Sequence, residues 1–254
     1  MNFFTLLRGL IGKFFVCGVI FYGVVLYGQN STDQNSFSSD AASLITINEV
    51  KKQLTKKFAT YKTYQANFKE VFRGKLRQGK IFIKKPHQVR LTYYLRDRID
   101  MDVFGTEKLL YVYLPKYNIV YEQELGDSAD QEFQGIKAAS LDFLFANYAF
   151  DFYENEDLVP IFDAETKTLF NIISPATTNA YKLRLSAKDI TRGLDSLTLW
   201  VSEAGLILRS RARSIDKKTV DLYFYDIVLN TPIPDNKFEF VIESSVRIIR
   251  DSFQ

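Results

Sequence analysis

The stretch GKIFIKKPHQVRLTYY, residues 79–94, reads as two short strands broken at a Lys-Lys-Pro corner. Bulky apolar residues fall on one side of this hairpin, and a basic pair with a proline marks its turn. That is the pattern of an antiparallel sheet with one buried face. Just upstream, Tyr64, Ala66 and Phe68 alternate with polar residues, the period of a half-buried strand. RGKLRQG, residues 73–79, reads as a turn or loop with glycine at each side. Strands are then expected at 79–84, 88–95, 98–104, 109–114 and 118–124, separated by turn formers. Gaps this short join antiparallel neighbours.

Ahead of the strands, residues 43–62 place Ile47, Val50, Leu54, Phe58 and Tyr61 at steps of three and four, which predicts an amphipathic helix. Lys51, Lys52, Lys56, Lys57 and Lys62 occupy most of its remaining surface, the composition of a solvated face. Residues 138–150 interrupt the strands, with Leu141, Leu144, Phe145 and Tyr148 on one helical face. Strands resume at 167–173, 180–186, 195–201, 206–214, 219–229 and 237–242. About eleven strands, two helices and no βαβ alternation predict a mainly β protein: one strongly curved antiparallel sheet with helices over one face. An inner face rich in Phe, Tyr, Leu and Ile has to be covered, either by a helical plug or by an apolar guest, and composition leaves both open. Alternation nominates Phe68, Phe82, Val89, Leu91, Tyr93, Met101, Tyr111 and Tyr113 as lining, with core packing the competing role for each. A slip of one residue in register would invert the face of any of them. Trp200 is expected in the core.

Composition removes whole classes of chemistry. The chain of 254 residues holds one histidine, His87, and one cysteine, Cys17. A His-rich zinc site, a CxxC pair and a disulfide framework cannot be built within it, and no metal or cofactor is implied. No Walker A loop and no GxGxxG occurs. A net charge of +3 does not call for nucleic acid. The 22 Phe and 15 Tyr against one Trp suit strands, and either a core or a site for an apolar ligand. The acidic group Glu154, Glu156 and Asp157 reads as a solvated loop rather than a hydrolase pair, and no enzyme is expected.

The first residues, MNFFTLLRGLIGKFFVCGVIFYGVVLYGQN, set Arg8 and Lys13 ahead of an apolar run from Phe14 to Tyr27. This is the layout of a secretory signal, and the run is short of the about 20 residues of a spanning helix. Residues 1–28 are therefore expected to be a signal peptide removed near Gly28, or an anchor that is retained. The residues before Cys17, Phe14-Phe15-Val16, lack the small residue of a lipidation site, and Cys17 reads as a small apolar residue. Residues 29–43, rich in Ser, Asn and Asp, read as a flexible linker to a single domain over 44–254.

The order of segments resembles the LolA family of periplasmic lipoprotein carriers over nearly the whole domain. YKTYQANFKEVF (61–72) is similar to that family's helix followed by a strand ending Ala-x-Phe-x-Gln, with Glu70 in place of Gln. GKIFIKKPHQVRLTYY resembles its Gly-led strand ending in two basic residues and Pro. LLYVYLPKYNIV (109–120) resembles its Leu-Trp-x-Tyr-x-Pro strand, with Tyr111 at the Trp position. LTLWVSEAGLI (197–207) and VDLYFYDIVLNTPIPDNKFEFVI (220–242) resemble its closing hairpin and ending. The resemblance implies an incomplete, half-open β-barrel with a helical lid formed by Leu141, Leu144, Phe145 and Tyr148, over an apolar cavity for acyl chains. It implies a periplasmic monomer that takes acylated lipoproteins from an inner-membrane ABC release complex and passes them to an outer-membrane acceptor. The family sets an arginine near the cavity mouth; Lys85 stands at that position here, and Arg90 is the nearest substitute. Lysine cannot reproduce the arginine fork. A same-fold carrier of another lipid, a membrane-anchored acceptor of the LolB type and an envelope lipoprotein sensor are the alternatives.

Overall fold

A computed structural model describes residues 45–106, 108–124, 145, 147–172, 178–188, 194–241 and 244–250. The chain enters through a helix, α1 (Ile47–Thr60), and continues as strands β1 (Thr63–Phe72), β2 (Lys75–Lys84), β3 (Gln88–Leu95), β4 (Arg98–Gly105), β5 (Leu109–Leu114) and β6 (Ile119–Glu124). Then follow β7 (Tyr148–Phe152), β8 (Leu158–Pro160), a short helix α2 (Ala164–Leu169), β9 (Asn179–Ala187), β10 (Leu194–Val201), β11 (Ile207–Ser214), β12 (Thr219–Leu229) and β13 (Arg247–Arg250). They form one sheet in the order β13-β6-β5-β4-β3-β2-β1-β12-β11-β10-β9-β7, with β8 beside β9. The sheet is open, and every pairing in it is antiparallel except that of β13 with β6, which is parallel.

The expected meander is present from β1 to β6, and the departures have local causes. Residues 73–79 are no loop: Arg73 and Gly74, both with positive φ, make a two-residue turn and β2 starts at Lys75. The strand expected at 167–173 is replaced by α2, because Asp163 caps it, its carboxylate accepting from the Thr166 backbone N–H at 2.8 Å. The strand expected at 237–242 is replaced by a 3-10 turn at Asp235–Lys237 and a strap without strand pairing. The chain regains strand form only in β13, which the alternation of apolar residues did not announce. The helix expected over 138–150 falls largely outside the described residues; Tyr148, placed on it, begins β7 instead.

Register assigns the two faces of the sheet. One continuous row runs Ala66, Ile81, Leu91, Val103, Val112, Tyr121 across β1 to β6. A second runs Phe68, Phe224 at the β1–β12 pair, and Leu197–Leu185 and Leu199–Leu183 extend the same apolar face to β9. All are buried in one core cluster. Bulges bend the sheet around this face; at Asp226, with φ of 51°, β12 carries one extra residue opposite Ala66.

The opposite, convex face has two covers. Ile161, Phe162 and Phe170 flank α2 and pack on Trp200 and Tyr223. Beneath them Arg209 donates to Asp221 at 2.9 and 2.7 Å and to the Ile161 carbonyl at 2.6 Å. The second cover is the strap after β12, whose Phe240 ring lies 4.9 Å from Phe104, 5.6 Å from Tyr111 and 5.6 Å from Tyr113.

Gly79 is a point of closest approach. A Cβ there would lie 2.3 Å from the Thr92 carbonyl oxygen and 2.5 Å from the Phe68 ring, which crosses β2 at that position. Gly79→Ala is therefore expected to destabilise the fold by about 1–3 kcal/mol, read from the shift of the denaturant midpoint.

Candidate functional site

Among the described residues, the concave face carries the larger apolar cluster, and α1 packs on it. Thr46 and Glu49 form a capping box at the start of α1, with the Thr46 N–H donating to Glu49 at 2.6 Å. Val50, Leu54 and Phe58, spaced at four residues, are buried against the sheet. Burying these three side chains stabilises the closed arrangement by about 2 kcal/mol each. The helix is seated at its middle on the β10–β11 hairpin. A Cβ at Gly205, whose φ is +75°, would lie 2.6 Å from the Gln53 carbonyl oxygen. Near its N-terminal end Lys51 holds its ammonium 4.8 Å from the Phe145 ring and 5.1 Å from that of Phe150.

The C-terminal end of α1 is held by the corner that follows β2. Lys85 donates to the Phe58 carbonyl in the last turn of α1, and its ammonium lies 4.0 Å above the Tyr61 ring. Its backbone N–H donates to the Lys62 carbonyl at 2.9 Å. Asn230 supports the same joint, accepting from the Lys62 N–H at 2.8 Å. A cation at a helix C-terminus meets the negative end of the helix dipole, which favours this contact. Burial nevertheless pushes the Lys85 ammonium down from 10.5 to about 8.

One polar group interrupts the concave face. Glu70 is 0 % exposed and accepts from Arg77 Nε at 2.9 Å and from the Tyr93 hydroxyl at 3.1 Å. The Arg77 guanidinium lies 4.7 Å from the Tyr93 ring. The carboxylate at the position where the LolA pattern has Gln is thus neutralised inside the sheet.

The structure brings Phe68, Val89, Leu91, Tyr93 and Met101 together on the concave face, all buried. It does not bring Phe82, Tyr111 and Tyr113 there. These three occupy the convex face, in the rows Phe82–Arg90–Phe104–Tyr111 and Thr92–Asp102–Tyr113. The alternation within each strand was legible, but aromatic residues line both faces, so hydrophobicity alone could not tell one row from the other. Arg90 belongs to the convex face as well. It donates to Asp102 at 2.6 Å and to the Lys237 carbonyl at 3.1 Å, tying the strap down instead of reaching α1. Burial pushes the Asp102 carboxyl up, against the bonds from Arg90 and Thr92. Of the expected lid, Leu141 and Leu144 lie outside the described residues. Phe145 and Tyr148 pack with the concave cluster, Tyr148 fully and Phe145 partly buried. Val50, Leu54 and Phe58 were read as a helical stripe but not as part of the cover, although the Thr46-x-x-Glu49 box marked the start of a well-formed helix.

Among the described residues, no group of His, Cys, Asp and Glu is placed to hold a metal ion, and no helix is long and apolar enough to cross a membrane. What the geometry defines is an open, curved β-sheet, as the LolA resemblance implied, with the amphipathic helix α1 packed on its apolar concave face; the lid expected over 138–150 lies largely outside the described residues. No protein-family model matches the chain, and comparison with curated protein sequences returns no match. Similar solved structures include an uncharacterized conserved protein from Thermus thermophilus, 13% identical over 80% of this chain and 98% of that one, with a TM-score of 0.50. A LolA superfamily protein from Nitrosomonas europaea is 11% identical over 77% of this chain and 98% of its own, with a TM-score of 0.36. The lipoprotein LppX from Mycobacterium tuberculosis is 9% identical over 74% of this chain and 99% of its own, with a TM-score of 0.44. These likenesses concern the fold.

Lys85 makes a pH test. In the unfolded chain a lysine keeps its proton to about 10.5, whereas in the folded chain Lys85 releases it near 8. Between those values the unfolded state binds more protons, so this group makes stability rise with pH across that window and costs most below it. The stability difference between the native chain and Lys85→Met, measured by denaturation from pH 7 to pH 10, is expected to move in favour of the native chain as pH increases.

Proposed function

We propose that the chain is a carrier of acylated lipoproteins, taking their acyl chains onto the concave face when α1 lifts away from it. The observation that supports this most is the match between an apolar face, broken among the described residues by the paired Glu70, and a helix that rests on it mainly through apolar contact. The row from Ala66 to Tyr121 continues without a charged residue across six strands. Among the described residues its cover is α1, held mainly by three apolar side chains, with Lys51 near one end and Lys85 and Asn230 at the other, rather than by a fixed arginine fork. Each acyl methylene buried contributes about 0.8 kcal/mol, so a few chains outweigh the contacts that α1 gives up. The reverse exchange, α1 returning as the chains leave, needs no nucleotide. Phe68, Val89, Leu91, Tyr93 and Met101 are the lining in this reading, and Lys85 is the catch on the lid.

The sequence supports a place for this cycle. The basic and then apolar layout of residues 1–28 suits export and removal, leaving residues 29–43 as a tether on a periplasmic domain. In the cycle the LolA resemblance implies, an inner-membrane ABC release complex loads the cargo and an outer-membrane acceptor receives it.

The test is mass spectrometry on the protein purified without detergent from the periplasm of its own host. The expected result is a mature N-terminus beyond residue 28 and a non-covalently bound acylated protein. Free phospholipid as the sole ligand would replace the cargo by lipid, and an empty protein that keeps residues 1–28 would sink the shuttle.

A further inference from the structure

The antiparallel order gathers four hairpin tips at one end of the sheet. They are Arg73-Gly74 between β1 and β2, Arg96-Asp97 between β3 and β4, the turn Pro115–Tyr117 between β5 and β6, and residues 215–218 between β11 and β12. These hairpins are neighbours in the sheet and span eight strands, an arc of about 34 Å at the usual strand spacing. Turn tips are normally polar. In or within two residues of each of these four lies an exposed large apolar side chain: Leu76 at 41% and Leu95 at 62% on the strands beside their turns, Tyr117 at 49% and Ile215 at 48% within theirs.

Charge is distributed along the same arc. The first three tips carry exposed Arg73, Lys75, Arg96, Arg98 and Lys116 against a single exposed acid, Asp97. At the fourth, Lys217 pairs with Asp195 at 3.1 Å and Lys218 pairs with Asp216, so that tip adds Ile215 and little net charge. Arg73 and Arg96 hold φ of 50° and 49°, a left-handed conformation that glycine or asparagine adopts at lower cost. At the opposite end of the sheet, among the described residues, the loop after β7 carries Glu154, Glu156 and Asp157.

We propose that this end of the sheet docks on the surface of an anionic lipid bilayer. Leu95, Tyr117 and Ile215 enter the interface while the arginines and lysines of the first three tips meet the phosphates. Separate apolar tips on an arc form no continuous patch for another protein's core, but they meet a fluid plane without needing a complementary shape. Basic side chains at an anionic surface strengthen binding by about fivefold each. The inference rests on the tips alone and does not depend on what the concave face carries.

The experiment uses the full chain with a tryptophan placed at one tip, Leu95→Trp or Ile215→Trp, mixed with vesicles of brominated phosphatidylglycerol and phosphatidylcholine. Native Trp200 is 4% exposed beneath the α2 cover and supplies a constant background. Val241→Trp, at a residue 80% exposed on the strap, is the control. The readout is local to the tip, so attachment through another part of the chain does not imitate it. Docking predicts quenching and a blue shift for both tip variants, at least twice those of the control. Adding Arg96→Glu and Arg98→Glu to the Leu95→Trp chain should raise the vesicle concentration needed by about tenfold or more. Tip tryptophans quenched no more than the control would overturn the proposal, as would quenching equal on pure brominated phosphatidylcholine or indifferent to the charge reversal.

Discussion

The burial of one face of an open sheet is the constraint on which the rest of this molecule depends. A closed barrel covers its interior with its own strands, whereas a sheet left open must borrow a cover. Here α1 supplies it, and the helix needs the sheet as much as the sheet needs the helix. Fourteen residues make a marginal helix in water, even with a capping box. Val50, Leu54 and Phe58 gain their stabilisation only by lying on the concave face. This mutual dependence ties the stability of the helix to that of the face beneath it.

The convex face is organised differently. Its covers are held by ion pairs and backbone acceptors: Arg209 with Asp221 under α2, Arg90 with Asp102 under the strap. Breaking such buried pairs leaves an uncompensated charge, so these covers resist displacement. On the concave side, among the described residues, the buried acid Glu70 is already paired with Arg77 and a tyrosine hydroxyl. The molecule thus has one face built to stay shut and one whose cover is mostly apolar contact. An apolar ligand competes with apolar contact and has nothing to offer a buried ion pair.

Much of this was legible in the chain. Period-two alternation in 63–72 and 79–94 and the short turns placed β1 to β6 in order, and the three-four spacing of Ile47, Val50, Leu54 and Phe58 placed α1. These signals are local, and local signals survive without knowledge of the partner surface. The errors arose where a specific contact, a polar cap in one case and ring packing in the other, outweighed strand periodicity. Asp163 turned the expected strand at 167–173 into α2, and the strap traded strand pairing for a ring contact of Phe240 with Phe104, Tyr111 and Tyr113.

By itself the sequence determined a mainly β sheet in meander order with an amphipathic helix in front, because side-chain period and turn chemistry are properties of a few consecutive residues. Tertiary structure decided which aromatic row faced inward. Phe82, Tyr111 and Tyr113 are as apolar as Phe68 and Tyr93, and only pairing register and the strap that covers them send them to the other side. It decided also that Lys85, and not Arg90, meets the helix. Lys85 sits at a corner, free to reach the end of α1, whereas Arg90 lies mid-strand and is committed to the face on which Asp102 stands.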